Sequence, residues 1–579
     1  MNQDSVVYEV ERPPPRGFTA SPARLPDADV IVVGAGPTGL TLACELLRLG
    51  VSCLVLDRSA APQASSRATD VHSRTLELLD RLGAAKPLVA RGRTVHAFNA
   101  FAGGRVVSRL DFEALKSPFP FTVAVPQRDT EEILTGRLVA EGGAILRGAE
   151  VVSLAARPAG ADLTIAKDGR TERLRCRFVV GCDGVHSTVR RLAGIPFDGI
   201  TYPERYAVAD VDLTWPLANN EVHLFMTPDG FFNAVALPGG PHRGRVLCDL
   251  PRGAPKEPTL DLVQGLFDRR TGGLGRMESP TFLQSFRIHR RLARTFGRGP
   301  VLLAGDAAHA CSPLLGQGMN LGIQDAFNLA WKLALACRGE ARPALLASYD
   351  AERRPVARKT LMETDFVHRV SRVGPAWLRR VRDAAVSVLS KLEISRNHAA
   401  MTCSALGVAY RTSPLVGARH ASQPLQLPTS LFEQVESHLR RPGSPAPGER
   451  APDLALRRAS GDPLSLLPRE AGRHSALLFL GSSPVHAMRD LLADLARRAR
   501  TWGEAVEVRA VTLGSAAVDL DGVQLVHDTE GLAHEAYAVS RPTLFVIRPD
   551  AYVAAASAPP DPAILTRSLA RVLGGGGLS

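Results

Sequence analysis

The chain has 579 residues, 45% apolar and 22% charged, a globular balance too long for one core, so two or three domains are expected and a disordered chain or a fibre is excluded. No apolar run is long enough to cross a bilayer, and residues 1–28 lack a signal peptide's apolar stretch, which predicts a cytoplasmic protein with a flexible N-terminal extension and no membrane partner. The net charge of +12 comes from scattered arginines without zinc-finger spacing, an RNA-binding signature or a basic arm, which argues against nucleic acid, and eight cysteines without a C-x-x-C pair predict reduced thiols and no metal centre.

Residues 29–33 form an apolar strand that runs into Gly34-Ala35-Gly36-Pro37-Thr38-Gly39. Residues 40–47 have helical spacing of apolar side chains, and 51–56 form a second strand closing at Asp57. Strand, glycine turn, helix and strand, with an acidic residue at the second strand end, is the dinucleotide-binding unit. Gly34 allows the turn, Gly36 leaves room for a pyrophosphate, and Gly39 lets the helix pack on the sheet.

Residues 178–180 form a strand running into Gly181-Cys182-Asp183-Gly184, and 301–303 another running into Gly305-Asp306. Between them, 195–295 alternates like a β-rich insert. Residues 319–337 and 345–359 read as helices, and 360–410 as further helix. Residues 440–448, rich in proline and glycine, read as a linker. Beyond it lies a separate α/β unit, with strands at 476–480, 506–513 and 543–547 and helices at 485–502 and 562–573.

Three motifs in order carry a resemblance: Gly34-x-Gly36-x-x-Gly39, Cys182-Asp183-Gly184-Val185-His186-Ser187-Thr188-Val189-Arg190, and Leu303-Ala304-Gly305-Asp306-Ala307-Ala308-His309. Ser66-Arg67-Ala68, Arg74-Thr75-Leu76-Glu77 and Pro126-Gln127-Arg128-Asp129-Thr130-Glu131 add to it. Over about residues 29–415 the chain resembles the single-component FAD-dependent aromatic hydroxylases, and most nearly the phenol, pentachlorophenol and polyketide-tailoring members. The resemblance implies an α/β fold: a Rossmann-like FAD-binding domain of glutathione-reductase type over 29–194 and 296–440, a β-sheet substrate domain over 195–295, and a thioredoxin-like domain over 450–575. That last domain has no cysteine, so its expected role is structural or dimer-supporting, and Pro542 stands where thioredoxin folds carry a cis-proline. The linker and the missing cysteines predict that deletion from about 450 leaves FAD binding intact.

The resemblance further implies that Asp57 holds the adenosine ribose, Arg67 and Gln127 the phosphate and ribityl region, and Asp306 the ribityl chain. Asp183 and Gly184 match a motif tied to the FAD pyrophosphate and to NADPH or NADH, with a structural Asp183–Arg190 ion pair as the alternative. Backbone N–H groups around Gly316, Gly318, Met319 and Asn320 would face the flavin, with Pro313 nearby. Gly34, Gly36, Pro37, Thr38, Gly39, Arg58 and Val151 complete the expected cofactor contacts. NAD(P)H would reduce FAD, and a flavin C4a-hydroperoxide would pass one atom of molecular oxygen to a phenolic or polyketide aromatic. Asp70, His72 and His223 are the candidate bases, Phe225, Phe232, Asn233 and Pro313 the candidate substrate contacts, and His309 a structural residue. Epoxidation or Baeyer–Villiger insertion on the same scaffold, or a catalytically silent FAD-fold binding protein, are the alternatives. A homodimer is a further expectation.

Overall fold

The computed structural model describes residues 7–8, 19–20, 28–62, 68–371, 375–417, 443–457, 463–470, 472–514 and 520–574. Arg67, most of the 1–28 extension and Arg440, Arg441 and Pro442 of the linker therefore lie outside the described residues. The chain divides into two compact units, one of Met1–Leu115, Phe119–Phe327 and Arg354–Ala405, the other of Lys116–Pro118, Asn328–Arg353 and Leu406–Ser579.

In the first unit, Ala28–Val33 is the central strand, and Val30, Ile31 and Val32 are wholly buried. Such a run suits a parallel strand covered on both faces. It pairs in parallel with Cys53–Asp57 on one side and Arg170–Gly181 on the other. Val301–Leu303 joins Arg170–Gly181, again in parallel. The ends of these four neighbouring strands carry Gly34, Asp57, Asp183 and Asp306 to one edge of the sheet, where doubly wound folds bind ligands. The extension is tied to this sheet at two points, since Val7–Tyr8 pairs with Glu150–Arg157 and Thr19–Ala20 with Arg170–Gly181.

A second sheet has eight strands in the order His309–Ala310, Arg276–Ala293, Phe197–Thr214, Arg243–Asp249, Gly230–Ala236, Glu221–Thr227, Ala97–Ala102, Arg105–Asp111. Its last two strands lie outside the expected 195–295 insert, because Ala97–Ala102 pairs in parallel with Glu221–Thr227. Alternation along each strand gives the sheet two faces. One face carries Phe225, Phe232, Ala234, Val246 and Cys248 against Val263, Leu266 and Phe267 of helix Leu260–Thr271. The opposite face forms the wall of a cavity.

The second unit is built on a seven-stranded sheet in which His474–Phe479, Val506–Thr512 and Val523–His527 run parallel, while Thr543–Ile547 and Val553–Ser557 are antiparallel. The cis peptide bond among the described residues is Ala558–Pro559, so the Arg541–Pro542 bond is trans, contrary to expectation. The unit also includes residues 328–353, which the sequence assigns to the FAD domain. A buried ion network explains this. Arg548 donates to both oxygens of Glu352 at 2.6 and 2.8 Å and to both of Asp550 at 3.0 and 2.6 Å. Lys332 donates to Glu352 at 2.8 Å. All four side chains are 0–2% exposed. Deleting residues from about 450 removes Arg548 and Asp550 and leaves Lys332 and Glu352 without them. The expected product is aggregated protein in place of a truncated flavoprotein, checked by solubility and bound-flavin content.

Candidate active site

Four strand ends converge on one crevice. Gly34 turns the chain with φ +110°, and a Cβ there would lie 2.4 Å from the Cys182 carbonyl oxygen. A Cβ on Gly39 would lie 2.0 Å from the Gly34 carbonyl oxygen. Gly36 differs, since a Cβ on it meets nothing within 4 Å. It N-caps helix Pro37–Arg48 with no capping side chain and no acidic residue in the first turn, the setting that favours an anion. Asp57 accepts the N–H groups of Ala35 at 2.8 Å and Ser59 at 2.7 Å, bracing the turn. Arg58 beside it is exposed, and Val151 is buried within Glu150–Arg157. Gln127 opens helix Gln127–Ala140, donating to Glu131 at 2.7 Å and accepting from the Ala68 N–H at 3.4 Å.

Asp183 accepts from the Ser187 hydroxyl and from the N–H groups of Thr188 and Val189, which commits its carboxylate to the start of helix Thr188–Leu192. Burial raises its pKa. Arg190 turns instead to the carbonyls of Ala307 and Val185 and to the Phe197 ring, so the alternative Asp183–Arg190 hydrogen-bonded pair is not formed. Gly184 is half-buried, with open space at its Cβ position. Asp306 is exposed in the turn Gly305–Ala307. The sequence reading missed Asp325, which holds this turn by accepting from the Gly305 N–H at 3.0 Å and bonding His309 Nε2 at 2.6 Å. Thr38 is an internal brace, since a Cβ on Gly305 or Gly322 would fall 2.6 or 2.2 Å from its Oγ1. Gly316 is left-handed at φ +62°, and Gly318 and Met319 are half-buried in the first turn of helix Gln317–Arg338. Cys311 nearby is no nucleophile, because burial pushes its thiol up to about 12.

The cavity holds about 860 Å³ of empty space, its solvent-open mouth included. Its sheet wall is apolar apart from Asn233 and Arg245. The facing wall carries Asp70, His72, Thr122 and Pro313. Arg245 binds Asp210 through Nε at 2.7 Å and Nη2 at 2.8 Å. Neither residue is among those singled out from sequence, although the strand alternation that puts Asn233 and Leu247 on this face puts Arg245 there too. Burial raises the pKa of Asp70, with His72, Arg245 and Thr69 pulling the other way. A Cβ on Gly316 would lie 2.6 Å from Asp70 Oδ2, so the carboxylate sits hard against this turn. Asn320 straps the same region with its side chain, donating to the carbonyls of Asp70 and Gly316 and accepting from the His72 N–H.

Three expectations require correction. His72 has no free lone pair: its Nε2 meets the Leu315 carbonyl at 3.0 Å, so it carries the proton, and Nδ1 meets the Thr122 hydroxyl at 3.1 Å. Burial lowers its pKa, and a neutral ring fixed at both ends is a strut, not a base. His223 is on the face away from the cavity, where it bonds the Ala218 carbonyl at 2.9 Å and packs on Trp215. Phe225 and Phe232 pair across the strands on that same face and fill the core under helix Leu260–Thr271. Asn233 and Pro313 do line the cavity.

A family model described as "FAD binding domain" matches residues 27–364, more than half of the chain. The chain belongs to the FAD-dependent monooxygenases. It is 36% identical over 544 residues to a 6-methylpretetramide 4-monooxygenase of Streptomyces rimosus, covering 92% of this chain and 91% of that one. It is 36% identical over 362 residues to the pentachlorophenol 4-monooxygenase of Sphingobium chlorophenolicum, covering 60% of this chain and 66% of that one. Among solved structures, an anhydrotetracycline hydroxylase from Streptomyces rimosus matches with TM-score 0.73 and 30% identity, over 95% of this chain and 100% of that chain. The cofactors of this monooxygenase are FAD and NAD(P)H. The crevice fits FAD: Gly36 leaves space for phosphate at an uncapped helix start, and Asp306 is free of burial at the next-but-one strand end. FAD, when bound, accepts hydride from NAD(P)H and activates dioxygen.

Proposed function

We propose that this monooxygenase hydroxylates a fused-ring phenolic polyketide. The observation that carries the reading is the cavity: a largely apolar wall opposite a single half-buried carboxylate, Asp70, beside the Gly316 turn. Apolar walls hold ring systems and exclude water, and Asp70 accepts the proton of the substrate hydroxyl as the ring carbon attacks oxygen. Arg245 and Asn233 supply polar contacts to substrate oxygens. The tetracyclic substrates named for two of the similar proteins support this class. The reading extends to a cytoplasmic enzyme, supported by eight cysteines with no disulfide among the described residues. It also takes the second unit as thioredoxin-like, supported by two parallel strands joined through helix Arg489–Arg500 and followed by two antiparallel ones.

Asp70 works only when ionised, and burial moves its titration above the ordinary carboxylate range. The rate of hydroxylation therefore rises with pH through that elevated pKa. Asp70→Asn is expected to remove this limb and slow hydroxylation by roughly 10²–10⁴-fold, leaving flavin reduction by NADPH unchanged. Single-turnover kinetics across pH, with labelled dioxygen and product mass, measure both. An unchanged limb in Asp70→Asn removes the base assignment, and a product oxygen derived from water removes the hydroxylase reading.

A further inference from the structure

Arg245 stands on the apolar sheet wall of the cavity, yet its charge is cancelled from behind. Asp210 lies directly opposite it where Phe197–Thr214 pairs with Arg243–Asp249, so the two side chains share a face. Nε and Nη2 of Arg245 donate to the two oxygens of Asp210 at 2.7 and 2.8 Å, the fork geometry that holds a carboxylate most firmly. The arginine side chain is 5% exposed and the aspartate 14%, so little solvent screens the pair. Nη1 is left, with a long 3.4 Å contact to the Ala68 carbonyl. The next cross-strand pair repeats the arrangement: Arg243 lies opposite Asp212 and donates to it at 3.3 Å.

The charge balance of the cavity follows. Among the described residues, four ionisable side chains line it: Asp70, His72, Arg245 and Cys403. His72 is a neutral ring held at both nitrogens, and burial pushes the Cys403 thiol up to about 12. With Arg245 neutralised by Asp210, an ionised Asp70 leaves the lining one negative charge in excess. A carboxylate entering here loses its water, meets a like charge and finds no lining cation that is not already paired. A neutral carbonyl or carboxamide needs only a donor, which Nη1 supplies, and the apolar wall takes the rings.

We propose that Asp210 sets the charge specificity of this monooxygenase, so that the cavity selects ring systems whose carboxyl group is absent or masked over those that carry a carboxylate. Asp210 is a positioning residue that acts through Arg245. The proposal rests on the fused-ring reading and narrows it. It also places the reaction: the step that supplies the substrate is one that removes or masks a carboxylate, a decarboxylation, an amidation or an esterification. The probes are a dihydroxyanthraquinone carboxylic acid and its primary carboxamide, which differ in charge and hardly in shape. Equilibrium dialysis against the holoenzyme at neutral pH gives both dissociation constants for the parent, for Asp210→Asn and for the double variant D210N/R245Q. The parent is expected to bind the carboxamide roughly tenfold or more tightly than the carboxylate. In Asp210→Asn the cation is uncompensated, and the disadvantage of the carboxylate shrinks by roughly tenfold or more. The double variant removes both charges together and keeps the parent's preference, whereas damage to the wall would weaken both ligands alike. If Asp210→Asn loses its FAD, the parent and the double variant still decide. A parent that binds the carboxylate as well as the carboxamide overturns the proposal and leaves the fused-ring reading standing. So does an unchanged ratio in Asp210→Asn, or a double variant that loses the preference. Binding of neither ligand by the parent removes the fused-ring reading and the proposal with it.

Discussion

Gly36→Val is expected to yield a folded protein that purifies colourless and Gly34→Ala a protein that fails to fold, although both change one glycine of the same motif. The difference lies in what a side chain meets. At Gly36 the Cβ position is empty and the backbone is in the extended region, which valine adopts without strain. The valine instead fills the space in front of the helix start, where the pyrophosphate approaches its N–H groups. At Gly34 a methyl group falls 2.4 Å from the Cys182 carbonyl oxygen, and φ is +110°. Two strand ends must then move apart. A loss of FAD affinity of at least a hundredfold, about 2.7 kcal/mol, is expected for Gly36→Val with an unchanged melting profile of the apoprotein. Flavin titration with circular dichroism on both variants checks the pair. A yellow Gly36→Val protein would place the phosphates elsewhere.

Glu352→Gln is expected to destabilise the second unit by about 3–5 kcal/mol, the usual result of stripping one partner from a buried ion pair. Two cations, Lys332 and Arg548, would then share Asp550 alone, all of them wholly or almost wholly buried. Burial already lowers Lys332 to about 8, while the two cations keep Glu352 well below the ordinary carboxylate range. In the variant, Lys332 sheds its proton more readily than in the unfolded chain. The unfolded state then binds more protons, so the stability of Glu352→Gln rises with pH, and the gap to the parent narrows in alkaline solution. Adding Lys332→Met restores charge balance and recovers part of the loss. Denaturant unfolding of the parent, both single variants and the double variant at pH 7 and 9 tests this. A flat pH dependence for Glu352→Gln would show that Lys332 is not the group left charged.

The crevice was legible because its chemistry is local. Gly34, Gly36 and Gly39, with Asp57 after the next strand, are fixed by a single β-α-β unit, and their positions follow from sequence spacing. The helix read at 319–337 is observed at Gln317–Arg338 for the same reason. The cavity was legible only in part. Asp70 and Asn233 line it, but His223 and Phe225 do not, because the sequence gives alternation without saying which phase points inward. That phase depends on pairing with Ala97–Ala102, more than a hundred residues away. The placement of 328–353 with the tail was hidden for a similar reason, since Lys332 and Glu352 look like ordinary surface charges until Arg548 is brought between them.

The sheet wall has a consequence for how this enzyme acquires new substrates. Along its strands, side-chain parity separates two jobs. Residues such as Val222, Asn233, Val235, Arg245 and Leu247 line the ligand side, while His223, Phe232, Ala234 and Val246 between them point to the opposite face. Sequence change can therefore proceed on one parity without touching the other, and cavity shape can drift while the packing that holds the sheet stays constant. A combinatorial library restricted to the cavity parity should keep most of its members folded and spread them over different ring systems. The same number of substitutions on the core parity should mostly yield protein that does not fold.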